Sequence, residues 1–184
     1  DEWYVYYGDN TDYLVLDDVD ATADSATAWN DTSPSSTVFT VGTSHSVNAD
    51  AENYIAYCWR SIEGFSKVGS YIGNGATGST GQGPFVHTGF KPAWIMIKRS
   101  SSTTAYTNWI IYDNKRDGLN QGAESAGGNK YVFADSSAVE ANLYILNSFS
   151  NGFTFYDNYE VFNSEQTYVY LCFAETPFKY SNAR

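Results

Sequence analysis

Short runs of apolar residues, some alternating with polar ones and some unbroken, recur along the chain between clusters of Gly, Ser, Asn and Asp. Alternation with a period of two marks a strand with one covered face, and the clusters between runs mark reversals. The pattern predicts strands over Trp3–Tyr7, Tyr13–Leu16, Val38–Val41, Tyr54–Trp59, Ser66–Ile72, Phe85–Thr88, Ala93–Arg99, Asn108–Tyr112, Tyr131–Ala134, Asn142–Leu146, Gly152–Phe155 and Thr167–Ala174. Two runs, Ala93–Lys98 and Tyr168–Phe173, are almost wholly apolar. They belong on central strands covered on both faces, or with one face buried against aromatic neighbours. Neither is long enough, or flanked by the capping residues, to favour a helix. Many short strands joined by polar turns predict an all-β fold, an antiparallel β-sandwich. The loops Gly73–Gly83, Ser100–Thr104 and Gly118–Asn129 connect them. The first is Gly-rich but lacks both a GxGxxG register ahead of a helix and a Walker lysine, so its glycines serve turns and not a phosphate.

The pattern also repeats. At a constant offset of 114 residues, Phe39 meets Phe153, Thr40 meets Thr154, Val47 meets Val161, Tyr54 meets Tyr168, Ile55 meets Val169, Cys58 meets Cys172 and Trp59 meets Phe173. Upstream, Trp3-Tyr4-Val5-Tyr6 resembles Trp109-Ile110-Ile111-Tyr112, and Tyr13-Leu14-Val15 resembles Tyr131-Val132-Phe133. Residues 1–60 therefore read as the second half of a repeat unit, and residues 61–184 as a complete one. The stretch equivalent to 64–107 has no counterpart in the first 60 residues. Either that half lies upstream, or residues 1–60 lend strands to the second unit; a continuous sandwich or array satisfies both. An abrupt start on strand-like sequence, with neither Met nor a signal peptide, predicts a segment of a longer polypeptide.

Composition strengthens the β reading: 16 Tyr, 11 Phe and 5 Trp suit pleated, half-buried surfaces. The net charge is −11, and residues 1–60 carry 11 acidic side chains against the single base Arg60. A field of that sign repels a phosphate backbone, so nucleic acid is excluded as a partner. No apolar run is long enough to span a bilayer, which argues against membrane insertion. Two cysteines are too few for a disulfide scaffold, and their equivalent places in separate units predict two buried free thiols, Cys58 and Cys172. Such thiols fit assembly in a reducing cytoplasm.

Candidate chemistry is sparse. A nucleophilic triad needs a histidine beside Ser or Cys with an acid behind it. His45 lies in a polar turn and His87 in Phe85-Val86-His87-Thr88, neither in a nucleophile elbow, so no catalytic residue is assigned. Asp17, Asp18, Asp20 and Asp24 form the densest acidic group. A turn could converge the first three on a cation, or a pair of them on a glycosidic bond, but the EF-hand register and its closing Glu are missing. A solvated loop is the plainer reading. No cofactor is expected. Sugar rings stack on exposed Trp and Tyr. Trp3, Trp59, Trp94 and Trp109 fall on strands and point to core, whereas Trp29, Tyr156 and Tyr159 fall in loop-like sequence and are the ligand-contact candidates.

Several stretches carry a likeness: Gly64-Phe65-Ser66-Lys67-Val68-Gly69-Ser70-Tyr71-Ile72-Gly73-Asn74-Gly75, then Gly83-Pro84-Phe85-Val86-His87-Thr88-Gly89-Phe90-Lys91-Pro92-Ala93-Trp94. Tyr112-Asp113-Asn114-Lys115-Arg116, Ser150-Asn151-Gly152-Phe153 and Phe173-Ala174-Glu175-Thr176-Pro177-Phe178-Lys179-Tyr180 complete it. Together they resemble the β-sandwich repeat domain of tail-fibre and virion structural proteins of marine bacteriophages, of the cyanophage and pelagiphage type. The resemblance implies that the antiparallel β-sandwich is of jelly-roll, lectin-like type, and that the chain is a non-enzymatic virion component, assembled in the host cytoplasm and displayed on the particle for adhesion. It implies a homo-oligomer, with a trimer expected, contacts with other virion proteins and a host-surface glycan as ligand. A capsid decoration protein, a secreted or surface lectin-like module and a depolymerising enzyme are the alternatives.

Overall fold

The computed structural model describes residues 2–76, 82–101, 107–116, 129–143, 146–156, 159 and 161–177. Parts of all three predicted loops (77–81, 102–104 and 118–128), part of the predicted strand Asn142–Leu146 (144 and 145) and the 178–180 portion of the last motif lie outside the described residues. The fold is all-β: the described residues form twelve strands in antiparallel sheets and two helices of four residues each. Among the described residues no helix is long and apolar enough to cross a membrane.

The central layer is a six-stranded sheet, in the order β4 (Ser66–Ile72), β12 (Thr167–Ala174), β6 (Pro92–Arg99), β7 (Ile110–Asp113), β8 (Asn129–Phe133) and β9 (Ala141–Leu143). The two continuous apolar runs are its β6 and β12, flanked by strands on both sides. Their sequences are continuous because both faces are covered. Tyr168, Tyr170 and Cys172 join Ile95 and Ile97 in the main core on one face, while Val169 and Met96 join a smaller cluster on the other. Successive strand residues point to opposite faces, so a run with two covered faces has no polar positions to spare.

Over the first face lies a three-stranded sheet of β10 (Leu146–Phe149), β11 (Gly152–Phe155) and β5 (Phe85–His87). The core between the two sheets is aromatic: Tyr71 stacks on Tyr168 at 5.0 Å and on Phe155 at 5.2 Å, and Phe153 meets Phe155 edge-on at 5.6 Å. Each buried Phe or Tyr removes apolar surface from water at about 25 cal/mol per Å², and the offset and T-shaped pairings add to that.

Over the second face lies another three-stranded sheet: β1 (Tyr4–Val5), β2 (Asp12–Val15) and β3 (Ala23–Asp24). Leu14, fully buried, packs there with Trp109 and Val169, and the Trp109 indole N–H donates to the Val15 carbonyl at 2.7 Å. The front segment thus stacks on the central sheet without joining it. Its pairing duplicates part of that sheet. Tyr4↔Val15 and Val5↔Leu14 reproduce Ile110↔Phe133 and Ile111↔Val132, and Tyr13↔Ala23 reproduces Tyr131↔Ala141.

Several expectations are corrected. Val38–Val41 and Tyr54–Trp59 carry strand sequence but have no strand partner; both are largely exposed. A period-two pattern fixes which face wants cover, yet a strand forms only where a neighbour takes up its N–H and C=O groups. For the same reason Cys58 is exposed and only Cys172 is a buried free thiol. Trp3 and Trp59 are exposed as well, whereas Trp109 is core. Two short helices, α1 (Ala26–Trp29) and α2 (His45–Asn48), stand where loop was expected. Ser25 and Ser44 cap them, accepting the backbone N–H groups of Thr27 and Ser46, and Asn30 closes α1 in the left-handed region at φ 54°.

Candidate functional site

A surface cavity lies at the β7–β8 end of the main core. Ile110 and Tyr131 point from these strands toward the segment after β11, where the N–H groups of Phe162 and Asn163 both donate to the Tyr159 carbonyl and fold the chain into a helical turn. Between strand and turn opens a cavity of about 120 Å³, lined among others by Asn108, Tyr131, Phe133, Tyr159 and Phe162. Its walls are aromatic: Tyr159 stacks on Phe162 at 6.2 Å, and Tyr131 meets Phe133 at 5.3 Å.

Phenols cluster around it. Tyr112 lies 5.9 Å from Tyr131, and its hydroxyl is buried with no hydrogen-bond partner among the described residues. Burial holds that phenol well above its ordinary pKa, and the neighbouring Tyr131 and Tyr159 add to the shift. Tyr131 is raised by its own burial and by Tyr159. Tyr112 and Tyr131 are thus neutral donors and acceptors at any ordinary pH. On the rim, the Asn108 amide donates to Asp135 Oδ2 at 3.2 Å, and burial raises the Asp135 carboxyl. Aromatic faces beside amide and phenol groups can hold the apolar face of a sugar ring and bond its hydroxyls. Enclosed small-molecule sites run to about 300–1,000 Å³, so a cavity of about 120 Å³ has room for only part of such a ligand.

The three contact candidates from the sequence do not meet at one place. Tyr159 stands exposed at the cleft. Tyr156, half-buried just past β11, does not line it. Trp29 is a correction: it is buried in α1, its indole N–H donating to the Asp12 carbonyl at 3.0 Å and its ring meeting Tyr6 edge-on. A buried indole with its polar tip satisfied is an anchor and presents no face to a ligand. Sequence reasoning placed Tyr131 and Phe133 on a strand without seeing them as a cleft wall. Their period-two spacing put them on one face, but nothing local showed that this face ends in a cavity.

Asp17, Asp18 and Asp20 do not converge. Asp17 accepts the Trp3 N–H at 2.8 Å and Asp18 that of Val19 at 2.6 Å. Among the described residues no group of three or more His, Cys, Asp or Glu is placed to hold a metal ion. The loop instead meets Lys98, which is fully buried with its ammonium donating to the carbonyls of Asp18, Val19 and Thr107 and lying 5.9 Å over the Trp109 ring. Burial pulls Lys98 down to about 8, against the opposing influence of Asp135, Asp18 and Asp20. Sequence reading passed over this lysine, although a cation at the end of an apolar run, ahead of Arg99, was a signal. His45 begins α2 and His87 ends β5, both exposed.

Searches among curated proteins and among solved structures give no match. A family model does match, over residues 1–177, covering the front segment and the second unit together. The chain belongs to the family described as Domain of unknown function (DUF7483).

Proposed function

We propose that this chain is a non-enzymatic structural and adhesion module of a bacteriophage virion, carried on a tail or head fibre and contacting host-surface glycan. The motif resemblance supports the virion setting. The observation that carries the adhesion reading is the open aromatic cleft at Tyr159, with neutral phenols and an amide around a shallow cavity. Its chemistry is that of weak, repeated sugar contact: each site holds one ring edge, and copies on an oligomeric fibre add their affinities through multivalency. A trimer would present three such clefts.

The test is binding of the purified chain to surface polysaccharide from phage-susceptible marine bacteria, beside Tyr159→Ala. One stacking contact is worth about 0.5–1.5 kcal/mol, so the variant should bind about two- to tenfold more weakly with unchanged thermal stability. Equal binding by the variant refutes the cleft. Absence of the chain from purified particles, probed with an antibody against it, refutes the virion role.

A further inference from the structure

The two strand-patterned segments that lack strands, Val38–Val41 and Tyr54–Trp59, share the apolar pattern of their repeat counterparts, with Val38 where Gly152 stands, and differ from them in what lies beside them. Phe39 is 47% exposed and its counterpart Phe153 0%; Tyr54 is 47% exposed and Tyr168 0%; Ile55 is 71% exposed and Val169 6%. In the second unit β11 is flanked by β5 and β10, and β12 by β4 and β6. Equivalents of β4, β5 and β6 are what the first 60 residues lack.

The rest of that half-unit is already arranged for them. Sheet β1–β2–β3 keeps the order and register of β7–β8–β9, so the edge of β1 is the place where a β6 equivalent belongs. Segment 54–59 touches the residue ahead of β1 through Tyr57, whose ring stacks with Trp3 at 6.0 Å and with Trp59 at 5.8 Å. Tyr57 and Trp59 are two residues apart and share a face, the geometry of an extended strand awaiting neighbours. Charge agrees. The stretch 64–99, which carries β4, β5 and β6, holds Lys67, Lys91, Lys98 and Arg99 and no acid, whereas residues 38–59 hold Asp50 and Glu52 and neither Lys nor Arg. A cationic three-strand segment suits an anionic, apolar acceptor.

We infer that residues 38–59, with the β1 edge, form a docking surface for a polypeptide segment of the β4–β5–β6 type, patterned like residues 64–99 of this chain and supplied by another repeat unit. The incoming strands would lie on both sides of 54–59 and beside 38–41, closing a second sandwich against β1–β2–β3. This inference does not depend on the adhesion reading, because it concerns strand pairing and not glycan.

The experiment compares the chain as it stands with an extended chain in which residues 64–107 are repeated ahead of Glu2. Cys58 is a built-in probe, since its counterpart Cys172 is covered. In the original chain Cys58 should react with a thiol reagent at the rate of a free peptide. In the extended chain its reaction, and amide exchange over 54–59, should slow by about 100-fold or more. Ile55→Asp gives an independent readout. It should leave the Tm of the original chain unchanged and lower that of the extended chain by about 5 °C or more. An added segment bearing Ile95→Asp and Ile97→Asp should give no protection. The inference is overturned if Cys58 stays equally reactive in the extended chain, or if Ile55→Asp acts alike in both. It is also overturned if the original chain self-associates with Cys58 protected, or loses polysaccharide binding on Trp59→Ala; a second copy or a glycan would then be the occupant.

Discussion

Cys172 and Cys58 occupy the same step of the duplicated sequence, yet burial pushes the Cys172 thiol up to about 12 while Cys58 faces solvent. The thiolate is the reactive form, so one thiol per native chain should titrate with a disulfide reagent, and a second only after unfolding. Two fast thiols would mean that the main core is open. Lys98 makes the other single-residue prediction. Its folded pKa near 8 lies below the ordinary 10.5, so between these values the unfolded chain binds more protons and stability rises with pH. Relative to Lys98→Met, the wild-type chain should gain stability from pH about 8 to about 10.5, at up to about 1.4 kcal/mol per pH unit, and show no difference in slope below pH 8. Parallel denaturation series of the two proteins measure it; a gain on lowering the pH through that window would reverse the sign. Lys98→Ala, which leaves three carbonyls without their donor, should cost about 2–4 kcal/mol by chemical denaturation.

At the level of elements, β11 shows how tightly strands are fitted. A Cβ on Gly152 would lie 2.2 Å from the Val86 carbonyl oxygen, where β5 crosses close to the backbone. Backbone cannot yield as a flexible side chain can, so Gly152→Ala should cost about 2–3 kcal/mol and expose β5 to amide exchange first; a neutral Tm would show that β5 packs more loosely than this. Strands of this sort were readable from the sequence: Ser66–Ile72, Gly152–Phe155 and Thr167–Ala174 have the expected bounds. What sequence could not convey was occupancy. Val38–Val41 has as good a pattern as Gly152–Phe155, but pattern reports the demand for a neighbour and not its supply. Helix α1 escaped notice because four residues hold no period; Ser25 and Asn30 as caps were its only trace. In the candidate site, Tyr159 was visible as an aromatic in loop-like sequence. Its wall partners were visible only as strand residues, because a cleft arises where two distant segments meet.

For the whole molecule the decisive joint is between the front sheet and the central one. Leu14 is wholly enclosed there, and Lys98 and Trp109 reach across to the front segment's carbonyls. Leu14→Ala should therefore cost about 2–5 kcal/mol, read from the urea midpoint of the full chain, although it sits outside the complete unit. A loss under 1 kcal/mol would show that the front segment rests on the sheet without contributing to it. The pairing of β4 with β12 has a mechanical consequence too. Ser66 and Phe173 are register partners, so the backbone arrives at and departs from the second unit at a single corner. Tension across those two points would peel the strands apart one bond at a time instead of sliding them past one another. Such a unit gives way gently under load and lengthens.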